Sequence, residues 1–235
     1  MNRAAASIVL GLAATHAAHA GVGVDAFWRE VDNSVGTYNE QPTGLAGAWR
    51  TFDLYVTAPV GSRINGVNMG FAANPSIDNY FLYVDGEIYN DPFVTNGDLP
   101  QHEPILTVLP SSAEFDSHVF LHDAGPSNIA FVPQSFDFEG PVLRGVWFSL
   151  PNLPGSPSLV DESGEFRVLR LTVSSDTTQL GGNGSAIQIG LRVGGGAQEP
   201  DSLVPLALSP FLLVSTPSTA GFLALAGLVL TRRRR

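Results

Sequence analysis

The chain has 235 residues, 22 acidic and 12 basic, and a formal net charge of −10. All the basic residues are arginine, and there is no cysteine. These counts exclude disulfides and thiolate metal sites, and a surface this acidic disfavours nucleic acid, whose binding needs cations against phosphate.

The chain opens on Met1-Asn2-Arg3, a short positive stretch, followed by an Ala-rich apolar run from Ala4 to Ala18. Ala18-His19-Ala20 then reads as an A-x-A cleavage site, with Gly21 as the first mature residue. Residues 1–20 are therefore expected to be a secretory signal peptide handled by the export machinery. His16 and His19 leave with it.

The next segment, 21–215, holds every acidic residue and seven arginines, a net formal charge of −15. Short alternating runs separated by Gly, Pro, Asn and Asp predict an all-β domain. Val22 to Trp28 opens it, and a loop follows to Ala48. Trp49 to Thr57 is a strand with Phe52, Leu54 and Val56 on one face and Thr51, Asp53 and Tyr55 on the other. Ile64 to Phe71 is a weaker strand.

Tyr80 to Val84 and Glu87 to Tyr89 flank Asp85-Gly86, the sequence of a type I′ hairpin turn. Short strands are predicted at Ile105 to Leu109, Phe115 to Leu121, Asn128 to Val132 and Phe136 to Phe138. Pro141 to Leu150 places Val146 and Phe148 on one face and Trp147 on the other. Phe166 to Ser174 aligns Leu169, Leu171 and Val173. Ser185 to Val193 points Ile187, Ile189, Leu191 and Val193 inward, and Leu206 to Val214 closes the domain. Ten or so strands with one apolar face each suit two packed antiparallel sheets, a β-sandwich of jelly-roll or cohesin-like type.

The last segment, 216–235, carries Pro217, an apolar run ending at Leu230, and four arginines, Arg232, Arg233, Arg234 and Arg235. Pro217 to Leu230 as a helix spans roughly 21 Å, short of a hydrocarbon core of about 30 Å unless the arginines snorkel and the bilayer thins. The arginine cluster favours the cytoplasmic side. A membrane-crossing or membrane-sorting helix is expected.

The order of these parts resembles the PEP-CTERM sorting signal: a proline motif, a transmembrane helix and a terminal arginine cluster. The resemblance implies transit through the inner membrane, recognition by an exosortase, removal of the tail, and a destination at the cell surface or outside the cell. Only Pro217 of the proline motif matches, within Thr216-Pro217-Ser218-Thr219. The runs TFDLYVT (51–57), EFDSHV (114–119) and GEFRVLRLTV (164–173) are similar to exported planctomycete-like surface proteins, whose layout resembles cohesin and carbohydrate-binding sandwiches. That likeness implies a fold and assigns no catalytic residue.

Candidate chemistry inside the domain is sparse. His118 and His122 have the i, i+4 spacing of a helical metal pair, yet DSHVFLHD alternates like a strand, which sets them ~13 Å apart. His102 stands alone. Gly181 to Ile187 departs from a calcium nonapeptide by carrying Ala186 where aspartate is needed, and reads as a glycine-rich hairpin loop. Asp78, Asp85, Glu87, Asp91 and Asp98, with Asn79, Asn90 and Asn96, are oxygen donors of the kind calcium takes, without EF-hand spacing. A plain acidic surface is the default reading there, and no cofactor is assigned.

Two carboxylates suffice for glycoside hydrolysis, but among 22 any pair can be named, and no G-x-S-x-G elbow occurs. No catalytic residue is assigned. Tyr38, Tyr55, Tyr83, Tyr89, Phe93 and Trp147 are the aromatics able to stack on sugar, with core packing as their ordinary use. The expected role is structural, adhesive or interaction-mediating. A carbohydrate-binding module for extracellular polysaccharide, with or without calcium, is the alternative, and a hydrolase the third reading.

Overall fold

A computed structural model describes residues 23–76, 79–91, 108–121, 129–132, 135–149, 160–192 and 202–213. The predicted signal peptide, with Ala18, Ala20 and Gly21, and the sorting tail, with Pro217 and Arg232 to Arg235, lie outside the described residues. Among those described, the chain is all-β, and no helix is long and apolar enough to cross a membrane.

Two larger sheets carry the structure. The four-stranded sheet is ordered β1-β2-β9-β5, from β1 (Asp25–Val31), β2 (Trp49–Thr57), β9 (Glu165–Ser174) and β5 (His118–Val119). The five-stranded sheet is ordered β12-β11-β3-β8-β6, from β12 (Ser202–Ala207), β11 (Ala186–Arg192), β3 (Arg63–Asn68), β8 (Val146–Ser149) and β6 (Ile129–Phe131). Two small pairs complete it: β4 (Leu82–Tyr83) with β7 (Val142–Leu143), and β10 (Gln179–Leu180) with β13 (Phe211–Leu212). Every ladder is antiparallel. Both large sheets bury one face in a single apolar cluster, an arrangement consistent with a β-sandwich.

The alternation explains that cluster. Phe52, Leu54 and Val56 of β2 meet Phe166, Leu169, Leu171 and Val173 of β9, and Ile64, Val67, Ile187, Ile189, Leu191 and Trp147 come from the other sheet. Each such side chain contributes about 1.5–3 kcal/mol by leaving water.

Asp85-Gly86 does not form the expected hairpin. Val84 bridges to Leu180 and Ile88 to Val173, so the two arms pair with different partners. Asp85 is not among the residues with positive φ, which a type I′ turn requires. Burial of Val84 and pairing of Ile88 outweigh the local turn preference. The glycine is needed for a different reason: a Cβ at Gly86 would lie 1.9 Å from Thr177 Oγ1.

Nor is the glycine-rich stretch a hairpin loop, since β10 pairs with β13 and β11 with β12. Residues 181–184 all have positive φ, and the Ser185 N–H donates to the Gly182 carbonyl at 2.7 Å. The expected strand from Phe115 is mostly irregular as well. Ser111–Phe115 is a 3₁₀ turn, and only His118–Val119 pairs as a strand. The predicted final strand is two strands, β12 and β13, on either side of Pro210.

Candidate functional site

The outward faces of the two sheets differ. On the four-stranded sheet, cross-strand register lines up Arg29, Asp53, Arg170 and His118 on β1, β2, β9 and β5. A bulge supplies one more cation. Leu54 faces Leu169 and Tyr55 faces Arg167, so Val168 has no opposite residue, and Arg167 returns to the face of Arg170.

Arg170 donates from Nε and Nη2 to the two oxygens of Asp53 at 2.8 and 2.9 Å, a bidentate fork. Its Nη1 donates to the Glu114 carbonyl at 3.1 Å. Arg167 reaches Asp53 at 3.4 Å and lies 3.6 Å over the Phe120 ring. Thr172 donates to the Phe115 carbonyl and shares a hydrogen bond of 2.7 Å with Thr51. Ser117 Oγ donates to the Tyr89 carbonyl at 3.1 Å, and Asp116 accepts from the Asp91 N–H at 2.9 Å. These bonds fasten residues 111–117 over β2 and β9 and cover that part of the face, while Arg29 and Arg167 stay partly exposed.

Burial opposes the charge on Arg170, but its hydrogen bonds and attraction to Asp53 prevail and raise its pKa. His118, only 5% exposed, is driven well below the ordinary imidazole range by burial first and by Arg170 and Arg167 next. Burial pushes Tyr89 up to about 12, and its hydroxyl donates to Asp91 at 2.9 Å. The cluster's donors and acceptors hold a covering segment in place, and its imidazole is neutral and enclosed.

A pH effect follows. Unfolded, His118 takes a proton near pH ~6.5; folded, it stays neutral to well below that. The unfolded state binds more protons in between, so stability is full above that pH and falls as pH drops, by up to about 1.4 kcal/mol per unit. Urea midpoints at pH 7.5 and 5.5 should fall in the native chain and fall less in His118→Gln. Equal drops would mean that the imidazole is solvated.

The other sequence candidates disperse. His102, His122, Asp78, Phe93, Asn96 and Asp98 lie outside the described residues. Asp85 accepts from Thr178 Oγ1 at 2.5 Å, Asp91 accepts from Tyr89, and Glu87 is exposed. Among the described residues no three His, Asp or Glu side chains are grouped to hold a metal ion. Of the aromatics, Trp147 belongs to the core, Tyr89 packs 5.2 Å from Trp49, and Tyr55 stacks on Phe27 at 5.6 Å beneath the Arg29 guanidinium. Tyr83 is half-buried, and Tyr38 is exposed.

The outward face of the five-stranded sheet is partly exposed among the described residues. Its central strands present small or polar residues there: Ala186, Gln188 and Gly190 on β11, Gly66 and Asn68 on β3. Gly190 is opposite Gly66, and Gln188 opposite Asn68. The flanking strands carry larger apolar groups. Leu203, 65% exposed, is opposite Gly190, and Phe148, 39% exposed, is opposite Gly66. The result is a trough at the Gly66–Gly190 pair, with Leu203 and Phe148 as its apolar sides, and the Gln188–Asn68 pair continues its floor as a polar step. Arg63 and Arg192 face each other across the ladder at one end. Arg144 lies at the other, its side chain close to Gly70 and 5.9 Å over Phe81.

Sequence reasoning did not single out this trough. Its only signals were glycines in strand interiors, at Gly66 and Gly190, which mark places where another group can approach the backbone. No protein-family model, curated protein or solved structure matches the chain.

Proposed function

We propose that this is an exported bacterial surface or extracellular-matrix protein with a structural, adhesive or interaction-mediating role. Its acidic ectodomain, 21–215, is a jelly-roll or cohesin-like β-sandwich. The N-terminal signal directs export, and the tail sorts the protein by a PEP-CTERM-like route through an exosortase. The observation that carries this reading is the order of parts at the C-terminus: Pro217, an apolar run, then Arg232 to Arg235, placed after an all-β domain of net charge −15.

Intact mass and fractionation of the protein from its own cells test it. A mass beginning at Gly21 and ending between Ser215 and Thr219, outside the inner membrane, is expected. A chain retaining Arg235 in the membrane fraction would overturn the exosortase step and make the protein a tethered ectodomain.

The trough favours a second reading, a carbohydrate-binding module. A floor of glycines and amide side chains beside an exposed aromatic ring has the chemistry that holds sugar rings. A glycan array probed with the full chain, with and without calcium, separates this reading from a purely structural role.

A further inference from the structure

We propose that the trough on the five-stranded sheet binds a carboxylate-bearing polysaccharide, laid along β11 and β3 between Arg63 and Arg144. This rests on the export reading, which puts the face in contact with the extracellular matrix.

The charge distribution points to an acidic sugar. Arg29, Arg50, Arg167 and Arg170 each pair with a carboxylate of the chain. Arg63 and Arg144 have no such pair among the described residues, and each has a buried Nε without a hydrogen-bond partner. Arg63 also sits directly opposite Arg192. A guanidinium presents its N–H groups as a planar fork that matches a carboxylate.

Shape and the remaining groups suit a sugar. The floor is open at Gly190, where an added Cβ would meet Gly66 only at ordinary van der Waals distance, 3.6 Å, whereas at Gly66 it would lie 3.2 Å from Phe148 Cβ, so that the ring stands against this glycine. Phe148 supplies an apolar ring surface for sugar C–H groups. Gln188 Nε2 donates to the Tyr80 hydroxyl at 3.2 Å, which fixes the amide and leaves its Oε1 to accept from a sugar hydroxyl. Arg63 at the start of β3 and Gly70 just past its end are seven positions apart, roughly 20 Å of extended chain, so charges at the two ends read a polymer rather than a monosaccharide.

The acidic domain gives a polyanion no long-range attraction. Affinity must come from short contacts: guanidinium to carboxylate, ring to C–H, amide to hydroxyl. Nucleic acid draws most of its non-specific affinity from phosphate neutralisation, which this surface does not supply.

The test is affinity electrophoresis of the full-length chain in mild detergent, through gels containing alginate, polygalacturonate, dextran or polyphosphate. Retardation by a polyuronate and not by dextran or polyphosphate is expected. The double variant Arg63→Gln/Arg144→Gln should weaken it at least tenfold without lowering the unfolding midpoint. Gly190→Leu, which fills the trough, should abolish it. The proposal is overturned if neither polyuronate retards the native chain, if dextran or polyphosphate retards it equally, or if both variants bind as the native chain does. A chain that binds no polyuronate but is found outside the membrane without its tail would leave the export reading standing.

Discussion

Replacing Asp53 by alanine is expected to lower the unfolding free energy by about 3–5 kcal/mol, read as a shift in urea midpoint at constant slope. The reason is the group left behind. Arg170 is buried, and both of its donors toward Asp53 would lose their acceptor in a place water does not reach. Arg167, which also reaches Asp53, would lose its nearest carboxylate. The cover over the face is coupled to the same ion pair, because Arg170 Nη1 holds the Glu114 carbonyl. Amides of residues 115–121 should therefore exchange faster in the variant. Replacing both partners, as Asp53→Leu with Arg170→Met, should recover most of the loss, since removing a buried pair together leaves no bare charge. A loss under about 1 kcal/mol for Asp53→Ala would show that water reaches the guanidinium and that the segment lifts from the sheet.

Much of this arrangement could be read from alternation, and its failures share one cause. Alternation puts Phe52, Leu54 and Val56 on one face of β2, and that face is the core. Asp53 and Thr51 lie on the other face, as alternation requires, but outward there does not mean solvent. Residues 111–117 cover them, and no period-2 pattern announces a covering segment. On β9, strict alternation puts Arg167 and Arg170 on opposite faces. The bulge at Val168 shifts the phase by one residue and brings both onto Asp53. Asp85-Gly86 carries strong hairpin chemistry, yet its arms join different ladders, because long-range pairing with Leu180 and Val173 prevails over two residues of local preference. The trough was least legible of all, since a floor is made by the absence of side chains and becomes a site only once register places Gly66 beside Gly190.

Trp147 and Phe148 are neighbours on β8 and should answer alanine in opposite ways. Trp147 is 1% exposed, packs 6.1 Å from Phe136 and donates its indole N–H to the Phe120 carbonyl at 2.9 Å. Trp147→Ala empties that volume and orphans a buried carbonyl, and should cost about 3–5 kcal/mol. Trp147→Phe keeps a ring but loses the donor, and should cost about 1–3 kcal/mol. Phe148 points the other way, beside Gly66 on the open face. Phe148→Ala should move stability by no more than about 0.5 kcal/mol while reducing retardation in polyuronate gels. The contrast tests register as well as function. Sliding β8 by one residue against β3 would exchange the two faces, and then Phe148→Ala would be the destabilising change. Equal losses for the two alanine variants would mean that both rings are buried, and a trough with Phe148 as its wall would no longer exist.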